Sequence, residues 1–135
     1  MSNIIKYRIS LINTFWIATL LFCVHSPVNA FEHETSPVYF RDYSPESLVA
    51  AKKENKPVFI LISAEWCHWC KVFSEKSLTD EKVFAYLNRF FINLFIDADL
   101  RRDLSLKFGA NRLPYIVLMR PDESIYYKFG GTLYA

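Results

Sequence analysis

The stretch Ser63-Ala64-Glu65-Trp66-Cys67-His68-Trp69-Cys70-Lys71 decides how this chain is read. It follows an apolar run, residues 58–63, and leads into residues 65–76, which read as a turn into a helix. A short run that is apolar throughout is expected of a strand covered on both faces. Two cysteines with two residues between them, placed where such a strand gives way to a helix, carry a particular chemistry. Cys67 faces the free N–H groups and the positive end of the helix. Both favour thiolate over thiol, and the thiolate is the nucleophile. Cys70 lies one turn further on, on the same face. It is placed to attack a mixed disulfide formed at Cys67 and to release the partner.

Other uses of the pair are weaker. A zinc site needs four ligands, and only Cys67, Cys70, His68 and the distant His33 are at hand, so no metal is expected. Covalent haem wants a histidine directly after the second cysteine, where Lys71 stands. An inert structural disulfide remains an alternative. A bridge over two residues constrains the unfolded chain little, so it suits opening and closing better than stapling. No cofactor beyond the Cys67–Cys70 pair is expected.

Working outward, the N-terminal 30 residues differ from the rest. They hold no acidic residue and two basic ones, Lys6 and Arg8. An apolar stretch, residues 9–24, follows, and Val28 and Ala30 fit the small-residue pattern before a signal-peptidase cut. This order reads as a secretory signal peptide over residues 1–30, cleaved near Ala30. The alternative is a membrane anchor, but the run is shorter and more polar than the ~20 residues a span needs. The expectation is a periplasmic or secreted protein with no stable membrane insertion after cleavage. Of the 135 residues, with formal net charge +2, cleavage leaves 105, carrying 14 basic and 14 acidic side chains. A neutral chain without clustered Lys and Arg excludes a nucleic-acid footprint. That length reads as one domain. An exporting compartment also permits disulfides.

Residues 31–37 read as a disordered lead-in and residues 38–135 as the domain. Residues 38–41 are expected as a strand. Ser44-Pro45-Glu46 is a helix start, with Ser as cap, Pro first and an acid in the first turn; this helix runs to about Asn55. After the cysteine helix, Asp80 is expected to cap another, with Val83, Leu87 and Phe90 on one face. Residues 92–96 and 115–119 are further apolar runs. Leu100, Leu104 and Phe108 recur every four residues, marking a helix that stops at Gly109. Residues 121–124 form a turn, and residues 125–129 alternate as a last strand. The order is β-α-β-α-α-β-α-β-β.

Ala64-Glu65-Trp66-Cys67-x-x-Cys70 resembles the active-site motif of the thioredoxin-like superfamily. Residues 108–114, ending Arg112-Leu113-Pro114, resemble the segment closing on the family's cis-proline, and Lys128-Phe129-Gly130-Gly131 its last strand. The Trp-Cys-His-Trp-Cys form resembles exported members, the C-terminal domain of thiol:disulfide interchange proteins, and the spermatogenesis-associated protein 20 type. The resemblance implies an α/β, three-layer fold, a central mixed sheet flanked by helices. The chain ends five residues after Gly130, so that fold is expected to lack its C-terminal helix.

The resemblance further implies a thiol-disulfide oxidoreductase acting on protein thiols or disulfides, with a membrane or soluble redox partner. The reductase direction is favoured by the interchange-protein likeness. Pro114, as the family's cis-proline, presents backbone to an extended substrate, with Trp66, Trp69, Leu113 and Tyr115 as an apolar rim. Ordinary packing is the alternative for Trp69 and Tyr115, and a trans proline for Pro114. His68 is expected to raise the redox potential, unless it is a plain exposed spacer. Two positions depart from the family. Leu61 stands where the superfamily carries a buried acid, and Asn93 where that acid's lysine partner lies. Glu65 or water then has to assist Cys70. A non-catalytic peptide-binding or adaptor module is the alternative function.

Overall fold

The computed structural model describes residues 36–131. The expected signal peptide lies outside them, as do residues 31–35 of the expected lead-in and residues 132–135. The described elements follow the expected order: β1 (Phe40–Asp42), α1 (Pro45–Glu54), β2 (Val58–Ser63), α2 (His68–Lys76), α3 (Glu81–Phe90), β3 (Ile92–Asp97), α4 (Arg102–Phe108), β4 (Tyr115–Met119) and β5 (Ile125–Gly130).

Local chemistry places several of the boundaries. Ser44 Oγ accepts the backbone N–H of Ser47, and Pro45 opens α1. The Asn55 N–H donates to the Lys52 carbonyl at 3.3 Å, and its left-handed conformation at φ 50° turns the Lys56 N–H back onto the Ala51 carbonyl at 3.0 Å. Asp80 caps α3 by accepting the N–H groups of Lys82 and Val83. Gly109 stops α4 at φ 75°, a conformation that favours glycine.

The sheet runs β1-β3-β2-β4-β5. β3 lies parallel to both β1 and β2, while β4 runs antiparallel to β2 and to β5. Alternation along the strands divides the core. Ile60, Ile62, Leu94 and Ile96 pack with Ala51 of α1 and with Leu104 and Phe108 of α4. Phe59, Leu61, Phe95 and Ile116 pack on the other face with Leu78, which follows α2, and Leu87 of α3. All six residues of β2 are buried, the five apolar residues Val58 to Ile62 as well as Ser63 at its end. This is the expected three-layer α/β arrangement around a mixed sheet.

Four local expectations change. The first strand begins at Phe40 rather than 38, because the approach to it is held by a side chain instead of a neighbouring strand. Asn88 accepts the Tyr39 N–H and donates to the Pro37 carbonyl, both at 2.9 Å. Leu100 stands outside α4 and is exposed. There Asp97 Oδ1 accepts the N–H groups of Asp99 and Leu100 and shapes a turn before the helix. On α3, Leu87 alone of the expected trio is buried, and Val83 and Phe90 stay open to solvent. Asn93 is a polar break in the apolar run over residues 92–96. It is buried, donates to Asn88 Oδ1 at 3.3 Å, and leaves its own Oδ1 without a partner among the described residues. β5 is an edge strand with Ile125, Tyr126 and Tyr127 exposed, and among the described residues no helix follows it.

Candidate functional site: a buried cysteine pair beneath two indoles

The carboxyl end of β2 feeds directly into the site. The chain turns at Ala64-Glu65-Trp66, with the Cys67 N–H donating to the Ala64 carbonyl at 3.0 Å. α2 then starts at His68, so residues 65–76 form the expected turn into a helix, with Cys67 in the extended capping conformation. The Cys70 N–H donates to Cys67 Sγ at 3.2 Å. Sulfur is a weak acceptor when neutral and a far better one when negative. The first turn of α2 contains no acidic residue to offset the positive helix end.

Cys67 and Cys70 are joined by a disulfide, with their Cα atoms 5.2 Å apart. Both are buried, at 6% and 3% exposure, and pack with Ala64, Ala98 and Leu113. Trp66 and Trp69, in contrast, are 71% and 52% exposed. A cysteine pair that is nearly closed off, beside a groove that two open indoles also line, is unlike a surface staple. Trp66 is nevertheless fixed: its Nε1–H donates to Asp99 Oδ2 at 2.7 Å. Trp69 meets His68 edge to face at 5.3 Å between ring centroids.

The second wall comes from the approach to β4. The Leu113–Pro114 peptide bond is cis. Pro114 is fully buried, and its carbonyl accepts the Gly131 N–H at 2.9 Å. Between the two walls lies a groove of about 450 Å³. Trp66, Cys67, His68 and Trp69 line one side; Ala110, Asn111, Arg112 and Leu113 line the other.

Of the site residues expected from sequence, Cys67, His68, Trp66, Trp69 and Leu113 therefore meet around one groove. Tyr115 does not join the rim. It is buried in the core cluster on the α1/α4 face, and its ring lies against Gly130. A Cβ at Gly130 would sit 2.6 Å from the ring and 3.1 Å from the Arg112 carbonyl, so only glycine fits there. Glu65 is exposed on the turn and is absent from the groove's lining. Leu61 is fully enclosed among apolar side chains, so the α2/α3 face offers no carboxylate at that position.

Three participants carried no signal strong enough to single them out. Asp99 is 33 positions from the indole it holds. Asn111 and Arg112 sit in a loop whose side chains have no periodicity. Among the described residues, no three His, Cys, Asp or Glu side chains are grouped to hold a metal ion, and no helix is long and apolar enough to cross a membrane.

The layered mixed sheet, with a cysteine pair at the β2–α2 junction, defines a thioredoxin-like protein. The profile of the Thioredox_DsbH family, described as a protein of unknown function (DUF255), matches residues 21–127, and the chain belongs to that family. It is similar to spermatogenesis-associated protein 20 of Mus musculus, 36% identical over 73 residues, and of Rattus norvegicus, 34% identical over 73 residues. Those matches cover 54% of this chain and 9% of each relative, so the chain spans under a tenth of their length. Among solved structures, a putative disulphide-isomerase from Bacteroides thetaiotaomicron is 30% identical with TM-score 0.65, over 75% of this chain and 86% of that one. The solved DsbH oxidoreductase shares the fold, with TM-score 0.63 at 14% identity over 75% of this chain and 78% of that one. Family, fold and cysteine pair together support a redox role of the thiol–disulfide type.

Proposed function

We propose that this protein is an exported thiol–disulfide oxidoreductase that acts on protein substrates, with Cys67 as the attacking sulfur and Cys70 as the resolving one. One observation carries the reading: the Cys67–Cys70 bridge caps α2 from within a groove, with the Cys70 N–H directed at Cys67 Sγ. When the bridge opens, a negative Cys67 sulfur keeps that donor and meets an uncompensated helix end, which favours the thiolate.

In the reducing direction, the Cys67 thiolate attacks one sulfur of a substrate disulfide. The substrate S–S bond breaks, one substrate thiolate leaves, and Cys67 is bound to the other sulfur. Cys70 then attacks Cys67 Sγ, and its proton passes to the departing thiolate. The second substrate thiol is released, and the Cys67–Cys70 disulfide re-forms. Two electrons have gone to the substrate, so an external dithiol donor must reopen the bridge. Pro114 is buried with its carbonyl engaged by Gly131, so Leu113, which lines the groove just before the cis bond, presents backbone to the substrate chain, and the exposed indoles of Trp66 and Trp69 cover it. Run backwards, the same steps oxidise or reshuffle disulfides, and reshuffling is the activity for which the Bacteroides neighbour, a putative disulphide-isomerase, is named. The interchange-protein likeness favours reduction. Export rests on residues 1–30, and N-terminal sequencing of the exported protein is expected to start near Phe31.

The test is substrate trapping. Cys70→Ser is expected to accumulate mixed disulfides through Cys67 in the native compartment, while the wild type reduces insulin with dithiothreitol as donor. Leu61, buried where an acid would assist Cys70, favours one rival reading, a peptide-binding module without turnover. A wild type that neither turns over nor traps partners would establish that rival.

A further inference from the structure

The two walls of the groove differ in charge as well as in origin. Arg112 lines the groove and is exposed. Arg101 forks onto Asp103, Arg89 lies over Phe90 and Arg120 lies over Tyr126, while Arg41 and Arg102 are partnerless among the described residues but do not line the groove. Arg112 makes no ion pair or side-chain hydrogen bond among the described residues. His68 stands on the opposite wall, and no carboxylate lines the groove. Asp99, which reaches this region through Trp66, is occupied by the indole N–H. The groove thus offers apolar indole surface and a guanidinium fork without an ion-pair partner among the described residues, with no carboxylate among its lining residues.

We propose that Arg112 is a specificity-determining residue that selects protein disulfides carrying an acidic side chain one or two residues from the attacked cysteine. This rests on the reading of Cys67 as the attacking sulfur. A carboxylate is the group a guanidinium fork holds in a paired, directional way. An extended substrate advances about 3.3 Å per residue. Cys67 and Arg112 line the same groove, so a substrate whose sulfur meets Cys67 lays its flanking residues along the wall that carries Arg112. A basic side chain at that place would face the Arg112 guanidinium, with no carboxylate in the groove lining to pair it. A small disulfide bearing carboxylates, such as oxidised glutathione, shares the same chemistry without being a protein.

The experiment compares kcat/KM on disulfide-linked peptides that differ only in an Asp or a Lys beside the cysteine. Hydroxyethyl disulfide serves as a neutral arm and oxidised glutathione as a small acidic arm. The wild type is expected to prefer the acidic peptide about fivefold at low ionic strength, falling towards parity near about 1 M salt. Arg112→Glu is expected to invert the preference, and Arg112→Lys to retain part of it. A role in folding alone would lower both peptide rates equally and would overturn the proposal. Equal wild-type rates on both peptides, with the neutral disulfide turned over, would overturn it and leave the oxidoreductase reading standing. An advantage for glutathione with no peptide preference would overturn the assignment to protein substrates. A wild type inactive on every arm would overturn both readings.

Discussion

The amino ends of α1 and α2 are capped in the same way with different atoms. In α1, Ser44 Oγ accepts the N–H three residues on, at 3.3 Å. In α2, Cys67 Sγ accepts the N–H three residues on, at 3.2 Å. Their surroundings are opposite. α1 opens with Pro45 and carries Glu46 in its first turn, so its dipole is answered by a carboxylate. α2 has no acid in its first turn, and its first residue is His68. One helix end is finished for stability. The other leaves its positive end to whatever charge the sulfur carries. The same backbone geometry thus serves folding in one place and reactivity in the other.

Replacing the sulfur breaks this contrast most severely. Cys67→Ser gives α2 the cap that α1 has, since Ser is a preferred N-cap. Insulin reduction is expected to fall by at least about 10³-fold, while circular dichroism reports an intact fold. Appreciable remaining turnover would mean that Cys67 is not the nucleophile.

Adding a charge is the next test. His68→Glu puts a carboxylate where α1 has one and disfavours the thiolate. The cysteine pair is then expected to become more reducing, by about tenfold in its equilibrium with glutathione, or about 30 mV. His68→Ala should move it the same way by less. An unchanged equilibrium in both variants would remove His68 from any tuning role.

Damage to the other cap separates stability from chemistry. Ser44→Ala is expected to cost about 1 kcal/mol in urea unfolding and to leave the glutathione equilibrium where it was. A shift in that equilibrium would show that the two helix ends are not independent.

The smallest effect is that of acid. Backbone and Ser44 hydrogen bonds hold Glu46 below the usual carboxylate range. Arg101 does the same for Asp103, and Ser124 for Asp122. A lowered folded value means that the unfolded chain binds protons first. The stability these groups lend is present above the ordinary carboxylate range and is lost as pH falls through their lowered values. All three are exposed, so the thermal midpoint should fall only slightly on acidification. Glu46→Gln should flatten that fall between about pH 5 and pH 3, with no matching change at α2.

Much of this molecule was legible in advance because its signals are local. Apolar runs marked β2, β3 and β4, though Asn93 interrupts that of β3, and Ser44-Pro45-Glu46 and Asp80 marked helix starts. The β2–α2 junction placed Cys67 at a cap from spacing alone. What failed depended on partners far along the chain. Tyr115 looked like a rim residue, but the small surface of Gly130, 15 positions away, lets its ring lie in the core. The strand expected at 38 starts at 40 because Asn88 on α3 holds its approach. Leu100 looked helical by its spacing, but Asp97 turns the backbone there.

By itself, then, the sequence determined the element order, the two core faces and the cysteine pair at a helix start. Each depends on hydrophobic periodicity or on groups within one turn of each other. The tertiary structure alone decided which side chains share the groove: Trp66, held by Asp99, and Arg112 line it together. Those meetings depend on strand order β1-β3-β2-β4-β5, which sets the β2–α2 turn beside the approach to β4. No local pattern encodes that adjacency, because it arises from burying both faces of one sheet at once.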